Sequence, residues 1–270
     1  MKSKMDKFEF QEKTDYSPKI PVKKKLFEKR SKHQKIEVFE TELFGNMLVL
    51  DGSIQTTEKD EFIYHEMITY PALAIADSVK NVLIVGGGDG GVAKEILRYD
   101  PEIDVEIVEI DEAVIDTSKR FLPGVSSALD RVKINIEDGV EFLQKIRDKK
   151  EKRDLIIVDS TDPTPLAQGL FSESFYENAK VCSRIFVAQT ESPISSPKEH
   201  ERAIENMKKV FPWVYTYFAY VPTYPGCLWS FSLGINERLK KVKKLNVKTR
   251  YYSKEKLQRQ PGYVGTYAKY

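Results

Sequence analysis

The chain has 270 residues, 41% of them hydrophobic, with 43 basic and 41 acidic side chains and a formal charge of +2. That supports one sizeable α/β core with a small appendage, and the near-even balance gives no whole-chain field for nucleic acid or a membrane surface. The two cysteines, Cys182 and Cys227, suggest no disulfide framework. Residues Met1–Asp6 lead into mixed polar sequence without an apolar signal core, so a soluble cytoplasmic protein is expected.

From Leu26 to Thr57 apolar residues alternate at period two, as in Ile36-x-Val38 and Met47 to Leu50, and Asp51-Gly52 marks a hairpin turn. This predicts an antiparallel β unit over residues 1–58, too small to bury its own face alone, so packing against a second copy is expected. From residue 59 the texture changes to alternating helical and strand-like runs. Helices are predicted over Glu61–Ala76, Gly91–Tyr99, Glu112–Phe121, Val140–Arg147 and Ser172–Val181. Strands are predicted over Val82–Val85, Val105–Ile110, Val132–Ile136, Leu155–Asp159 and Ile185–Gln189, with a terminal hairpin of Trp213–Val221 and Leu228–Ile235. Such repetition predicts a doubly wound parallel, Rossmann-like sheet for residues 59–270, with ligands at the carboxyl ends of its strands.

The first of these strands runs into Gly86-Gly87-Gly88-Asp89-Gly90-Gly91. A strand turning through glycines into a helix brings backbone close to a nucleotide-like ligand. Glu109 follows about 20 residues on, where a ribose-binding acid belongs. Asp89, however, would repel a pyrophosphate, so a nucleoside carrying positive charge fits better. The later strands also end in acids: Asp111, Asp138, Asp159 and Asp162. Asp111 and Asp138 could equally be caps of the following helices. Asp159 and Asp162 differ, because Pro163 and Pro165 forbid an immediate helix and leave both carboxylates on a stiff loop.

Several separated stretches together resemble the polyamine aminopropyltransferases, the spermidine synthases above all. They are Asn46 to Gly52, Glu61-Phe62-x-Tyr64-His65-Glu66-Met67, Gly86 to Gly91, Asp159 to Pro163, and Pro222-Thr223-Tyr224-Pro225. The resemblance implies a homodimer or homotetramer that transfers an aminopropyl group from decarboxylated S-adenosylmethionine, a co-substrate, to a diamine, usually putrescine, with no further cofactor and no metal. It places Glu109 and Gln34 near the ribose, Asp138 and Gly139 at the adenine, and Asp89 and Asp159 around the donor ammonium. Asp159 is also implied as the base, with Tyr64, Asp162 and Tyr224 on the acceptor and His65 beside them. The sequence departs from the family pattern at Gly226-Cys227 and at Thr164 to Ala167, two loops on the acceptor side, and in the tail Leu257 to Tyr263 after Tyr252.

The same residue types fit that chemistry. An alkylamine with a pKa of about 10.4 must lose a proton before it attacks carbon. A departing thioether needs no acid, so the transfer rests on alignment. A methyl transfer from intact S-adenosylmethionine would share the fold, but the carboxylate of that donor would face Asp89. A noncatalytic binder using the basic stretches Lys19–Lys35 and Arg238–Arg259 would have no need of the acids, and those stretches read as solvated surface. One histidine at position 65 is poor grounds for a metal. His33 and His200 are expected at the surface, Tyr215, Tyr217 and Tyr220 as packing residues, and Cys227 as packed or half-exposed.

Overall fold

A computed structural model describes residues 7–9, 19–239 and 241–260. Residues Met1–Asp6 and the last three residues of the tail Leu257 to Tyr263 lie outside them. The first unit is an antiparallel sheet in sequential order: β1 (Lys7–Glu9), β2 (Lys19–Arg30), β3 (Lys35–Thr41), β4 (Asn46–Leu50) and β5 (Ser53–Thr57). The unit begins before the expected Leu26, because Ile20 and Val22 bury one face of β2 while lysines hold the other, a pattern that a basic stretch hides in sequence.

The remaining elements are α1 (Glu61–Ile75), β6 (Asn81–Gly86), α2 (Gly91–Tyr99), β7 (Asp104–Glu109), α3 (Glu112–Phe121), β8 (Lys133–Ile136), α4 (Gly139–Asp148), β9 (Arg153–Asp159), α5 (Glu173–Cys182), β10 (Ser183–Gln189), α6 (Pro197–Val210), β11 (Trp213–Tyr220), β12 (Leu228–Ile235) and α7 (Lys254–Gln258). They build a seven-stranded sheet in the order β11-β12-β10-β9-β6-β7-β8. Strands β10, β9, β6, β7 and β8 run parallel, while β12 pairs antiparallel with both β10 and β11. The chain therefore leaves β6 in one direction through β7 and β8 and returns on its other side through β9 and β10. Ligand crevices open at such a switch point, outside the carboxyl ends of the strands.

Both faces of this sheet are covered. On one face Met67, Ile68 and Leu73 of α1 and Val92 and Ile96 of α2 pack on Val82, Ile84, Ile107 and Ile157. On the other, Leu143, Phe175 and Met207 of the helices α4, α5 and α6 pack on Leu83, Val85, Ile156 and Phe186. The continuous apolar runs of β6 and β9 follow from this burial on two sides. Burying one such side chain contributes roughly 1.5–3 kcal/mol. The small sheet places one face, Ile36, Val38, Leu48 and Leu50, on α3 of its own chain, so that packing is intramolecular.

The helix α1 is buried almost all round, unlike the amphipathic α2 and α3. Its Glu66 is fully buried and accepts the N–H groups of Arg250, Tyr251 and Tyr252, each at 2.8 Å, which straps the C-terminal segment across the helix. Two expectations change here. His33 and His200 are half-buried rather than superficial: α6, whose Ala203, Met207 and Val210 form its buried face, brings His200 Nδ1 to 2.8 Å from the Thr190 carbonyl and 2.9 Å from Ser230 Oγ. Tyr220 is 66% exposed because it ends its strand, whereas Tyr215 and Tyr217 are buried.

Candidate active site

The register of the parallel strands assembles the site. Gly86 at the end of β6 lies opposite Asp159 at the end of β9, and the Gly87 N–H donates to the Asp159 carbonyl at 2.8 Å. Gly86 has φ +84, and a side chain there would run into the Asp159 backbone, so this junction requires glycine. Beside it opens a crevice lined by Gln34, Tyr64, His65, Asp89, Glu109, Asp138, Gly139, Asp159 and Tyr224 among others. A smaller extension shares Tyr64 and Tyr224 with it and adds Asp162, Gln189, Ile54 and Trp229. Every candidate residue from the sequence therefore lies on one continuous cleft.

The acids at or just after the ends of β7 and β8 have structural work as well, and of these Glu109 and Asp138 line the cleft. Asp111 caps α3 by accepting from Ala113 N–H at 3.2 Å, and its other oxygen accepts from Ser31 Oγ and from the Gln34 amide at 3.1 Å. Asp138 caps α4 through Oδ1, which accepts from Val140 and Glu141 N–H at 2.8 and 3.2 Å, while Oδ2 takes part in neither bond. Glu109 accepts from Asp111 N–H at 3.0 Å, and burial pushes its carboxyl up to about 7.

Asp89 is not a free carboxylate aimed only at a ligand. Its Oδ1 accepts from Gly91 N–H at 2.8 Å, closing the glycine turn, and its Oδ2 lies 3.3 Å from His65 Nε2. On the other side of the ring, His65 Nδ1 is 2.7 Å from Glu61 Oε2, and Lys94 Nζ donates to Glu61 Oε1 at 2.7 Å. Burial alone would push the imidazole pKa down, but the flanking carboxylates outweigh it and hold it well above the ordinary value. The same pairing holds Asp89 and Glu61 below the usual carboxylate range despite their burial. His65, Asp89 and Asp159 present ligand atoms within 4.8 Å of one another. A ring protonated on both nitrogens has no lone pair for a metal, so this triad suits a cation held by carboxylates.

Asp159 accepts from the Tyr64 hydroxyl at 2.8 Å through Oδ1. Burial, with Asp89 nearby, pushes its carboxyl up to about 6. Burial does the same for Asp162, also to about 6, against a hydrogen bond with Glu191. The Tyr224 hydroxyl donates to the Gln55 carbonyl at 2.6 Å, and its ring lies 5.8 Å from that of Tyr64. Burial raises both phenols well above their ordinary pKa, so both remain protonated. With their protons committed to Asp159 and Gln55, the two phenol oxygens can only accept, and what they accept from best is an ammonium. The cleft thus offers a nucleoside-sized apolar pocket that ends in carboxylates and acceptor oxygens.

Sequence reasoning missed Glu61, Lys94, Gln55, Trp229 and Glu191. The i, i+4 spacing of Glu61 and His65 was the one legible sign, since residues four apart share a helix face. The backbone carbonyl of Gln55 leaves no trace in a sequence.

Residues 61–244 match the spermine/spermidine synthase domain, and residues 8–58 match the spermidine synthase tetramerisation domain. The chain is 44% identical over 247 residues, 86% of each chain, to a polyamine aminopropyltransferase of Alkaliphilus metalliredigens. It is 39% identical over 241 residues, 87% of each, to one of Bacillus cytotoxicus. Among solved structures it superposes with a TM-score of 0.89 and 30% identity on a spermidine synthase in complex with the transition-state analogue AdoDATO, covering 96% of this chain and 93% of that one. With the spermidine synthase of Thermotoga maritima the TM-score is 0.86 at 30% identity, covering 93% and 89%.

Proposed function

The chain belongs to the spermine/spermidine synthase family of transferases, and from that premise we propose that it moves the aminopropyl group of decarboxylated S-adenosylmethionine onto putrescine, giving spermidine and methylthioadenosine. The observation that carries this reading is the set of carboxylates on one crevice wall, Asp89 and Asp159 beside the glycine turn and Asp162 beyond them. Such a wall repels a phosphate or a donor carboxylate and attracts the ammonium groups of a decarboxylated donor and a diamine. The donor nucleoside occupies the larger pocket, with Glu109 and Gln34 toward the ribose and Asp138 and Gly139 toward the base.

Asp159 is the base. At neutral pH a carboxyl with a pKa of about 6 is mostly ionised, yet it is more basic than an ordinary aspartate. Tyr64 holds Oδ1, leaving Oδ2 for the attacking amine. The amine nitrogen yields a proton to Asp159 and forms a bond to the sulfur-bound methylene of the aminopropyl group. The bond from that carbon to sulfur breaks, and sulfur keeps the electron pair as a neutral thioether. Alignment of nitrogen, carbon and sulfur supplies the remainder of the acceleration. The distal ammonium of the diamine sits toward Asp162 and the Tyr224 oxygen, in a slot closed by Ile54 and Trp229.

The test is to incubate the purified protein with decarboxylated or intact S-adenosylmethionine and a panel of putrescine, cadaverine, agmatine and spermidine, and to identify products by mass. Spermidine formed fastest, from putrescine and the decarboxylated donor, is the expected result. N-methylputrescine from the intact donor would overturn the reaction type, and faster aminopropylation of agmatine would overturn the acceptor.

A further inference from the structure

Between α1 and α2 runs a buried row of alternating charges that ends on the donor-side acid. Lys94 Nζ is 2.7 Å from Glu61, Glu61 is 2.7 Å from His65 Nδ1, and His65 Nε2 is 3.3 Å from Asp89. The side chains of Glu61 and His65 are 6% and 3% exposed. The ring rests on the bare Cα of Gly91, where any side chain would run into it, so the start of α2 is shaped to admit an imidazole. Among the described residues, the groups that face this ring are Glu61 of its own helix, Asp89 of the glycine turn, Asp159 at the end of β9 and the edge of the Tyr64 ring, with Lys94 of α2 behind Glu61.

We propose that Glu61 is a positioning residue for the transfer: by bonding His65 Nδ1 it fixes the ring as a cation against Asp89, so that Asp89 and Asp159 can both stay ionised side by side. The inference rests on the aminopropyl-transfer reading of the site. A carboxylate at each nitrogen requires both nitrogens to donate, so the ring carries a full charge. Two carboxylates close enough to share a ligand would otherwise hold one proton between them, because like charges at that range disfavour double ionisation. A protonated Asp159 cannot serve as the base. The imidazolium also lowers the net charge of the Asp89–Asp159 pair to that of a single anion, which suits one ammonium. His65 itself, with Lys94 as the outer support, keeps Glu61 ionised despite its burial.

Glu61→Gln separates charge from shape. A glutamine amide can still bond Nδ1, but it no longer demands a proton there. In the variant the acid limb of kcat/KM is expected to move up by about one pH unit, so that activity falls roughly 2-fold at pH 7 and roughly 10-fold at pH 5, and largely returns near pH 9. Glu61→Asp, which retains the carboxylate, should restore the position of the limb. With only three histidines in the chain, ¹⁵N imidazole spectra can follow His65 directly. It should be imidazolium at neutral pH in the parent protein and titrate at lower pH in Glu61→Gln than in the parent. A glutamine variant with the parental pH profile, or an imidazole that titrates alike in both proteins, overturns the proposal. If the parent chain forms no spermidine at all, the functional reading fails in that assay, while the imidazole spectra still decide whether Glu61 sets the charge beside Asp89.

Discussion

Replacing Glu109 by glutamine should stabilise the ligand-free protein in mild alkali. The carboxyl is buried, and its pKa rises from the ordinary 4.5 to about 7. At 1.36 kcal/mol per pH unit, that rise means that burying the ionised form costs about 3 kcal/mol relative to the neutral one. Because the folded pKa lies above the unfolded one, the contribution to stability is fully present below about pH 4.5 and is lost as pH rises through about 7. Glu109→Gln has nothing to ionise. The free energy of unfolding of the variant minus that of the parent should therefore grow by about 3 kcal/mol between pH 4.5 and pH 8.5. The carboxylate also accepts backbone N–H groups, of Asp111 among others, that an amide nitrogen cannot accept. Losing one such bond lowers the variant by about 1 kcal/mol at every pH, which shifts the offset and leaves the slope unchanged. Urea unfolding of both proteins at several pH values and one fixed protein concentration measures the difference. A difference that is flat with pH would refute the reasoning, since it would mean that Glu109 ionises in the folded protein as it does in an unfolded chain. The same substitution should weaken nucleoside binding, so the acid is retained at the expense of stability.

Asp159→Asn should keep the fold and nucleoside binding yet lower kcat by about 100-fold or more, as loss of a general base does; activity within a few-fold of the parent would remove Asp159 from that role. In the parent, kcat/KM should rise with pH through a limb near 6, where Asp159 and Asp162 lose their protons, and a profile flat from pH 5 to 8 would contradict this. The N-terminal sheet, whose stretch matches a tetramerisation domain, should hold the protein as a dimer or tetramer in sedimentation at micromolar concentration. A monomer alone would count against self-association.

The legible features of the sequence were those with a local cause. Two-sided burial wrote the apolar runs of β6 and β9, and the glycine turn declared a close approach of backbone. The strand-end rule collected Asp89, Glu109, Asp138 and Asp159 because parallel strands in register bring their ends together. Less visible was how each acid divides its two oxygens. Asp111 is a buried helix cap, Asp138 is a helix cap as well as a cleft residue, and Asp89 closes its own turn. Those choices depend on backbone N–H groups that every residue has. The start of β2 was hidden because its lysines face solvent on one side of a twelve-residue strand. The charge row of Lys94, Glu61 and His65 joins two helices whose contact no single helix encodes.

The most direct measurement addresses the claim that this crevice chooses a cationic donor. Calorimetric titration of decarboxylated and intact S-adenosylmethionine into the parent and into Asp89→Asn gives four affinities. The parent should bind the decarboxylated donor more tightly. Removing the acid should cost that donor about 1.5–3 kcal/mol, the range for a hydrogen bond to a charged group, while the intact donor loses much less or gains. Equal losses for both donors would mean that Asp89 serves only to close the glycine turn, and the crevice would have no charge preference between them.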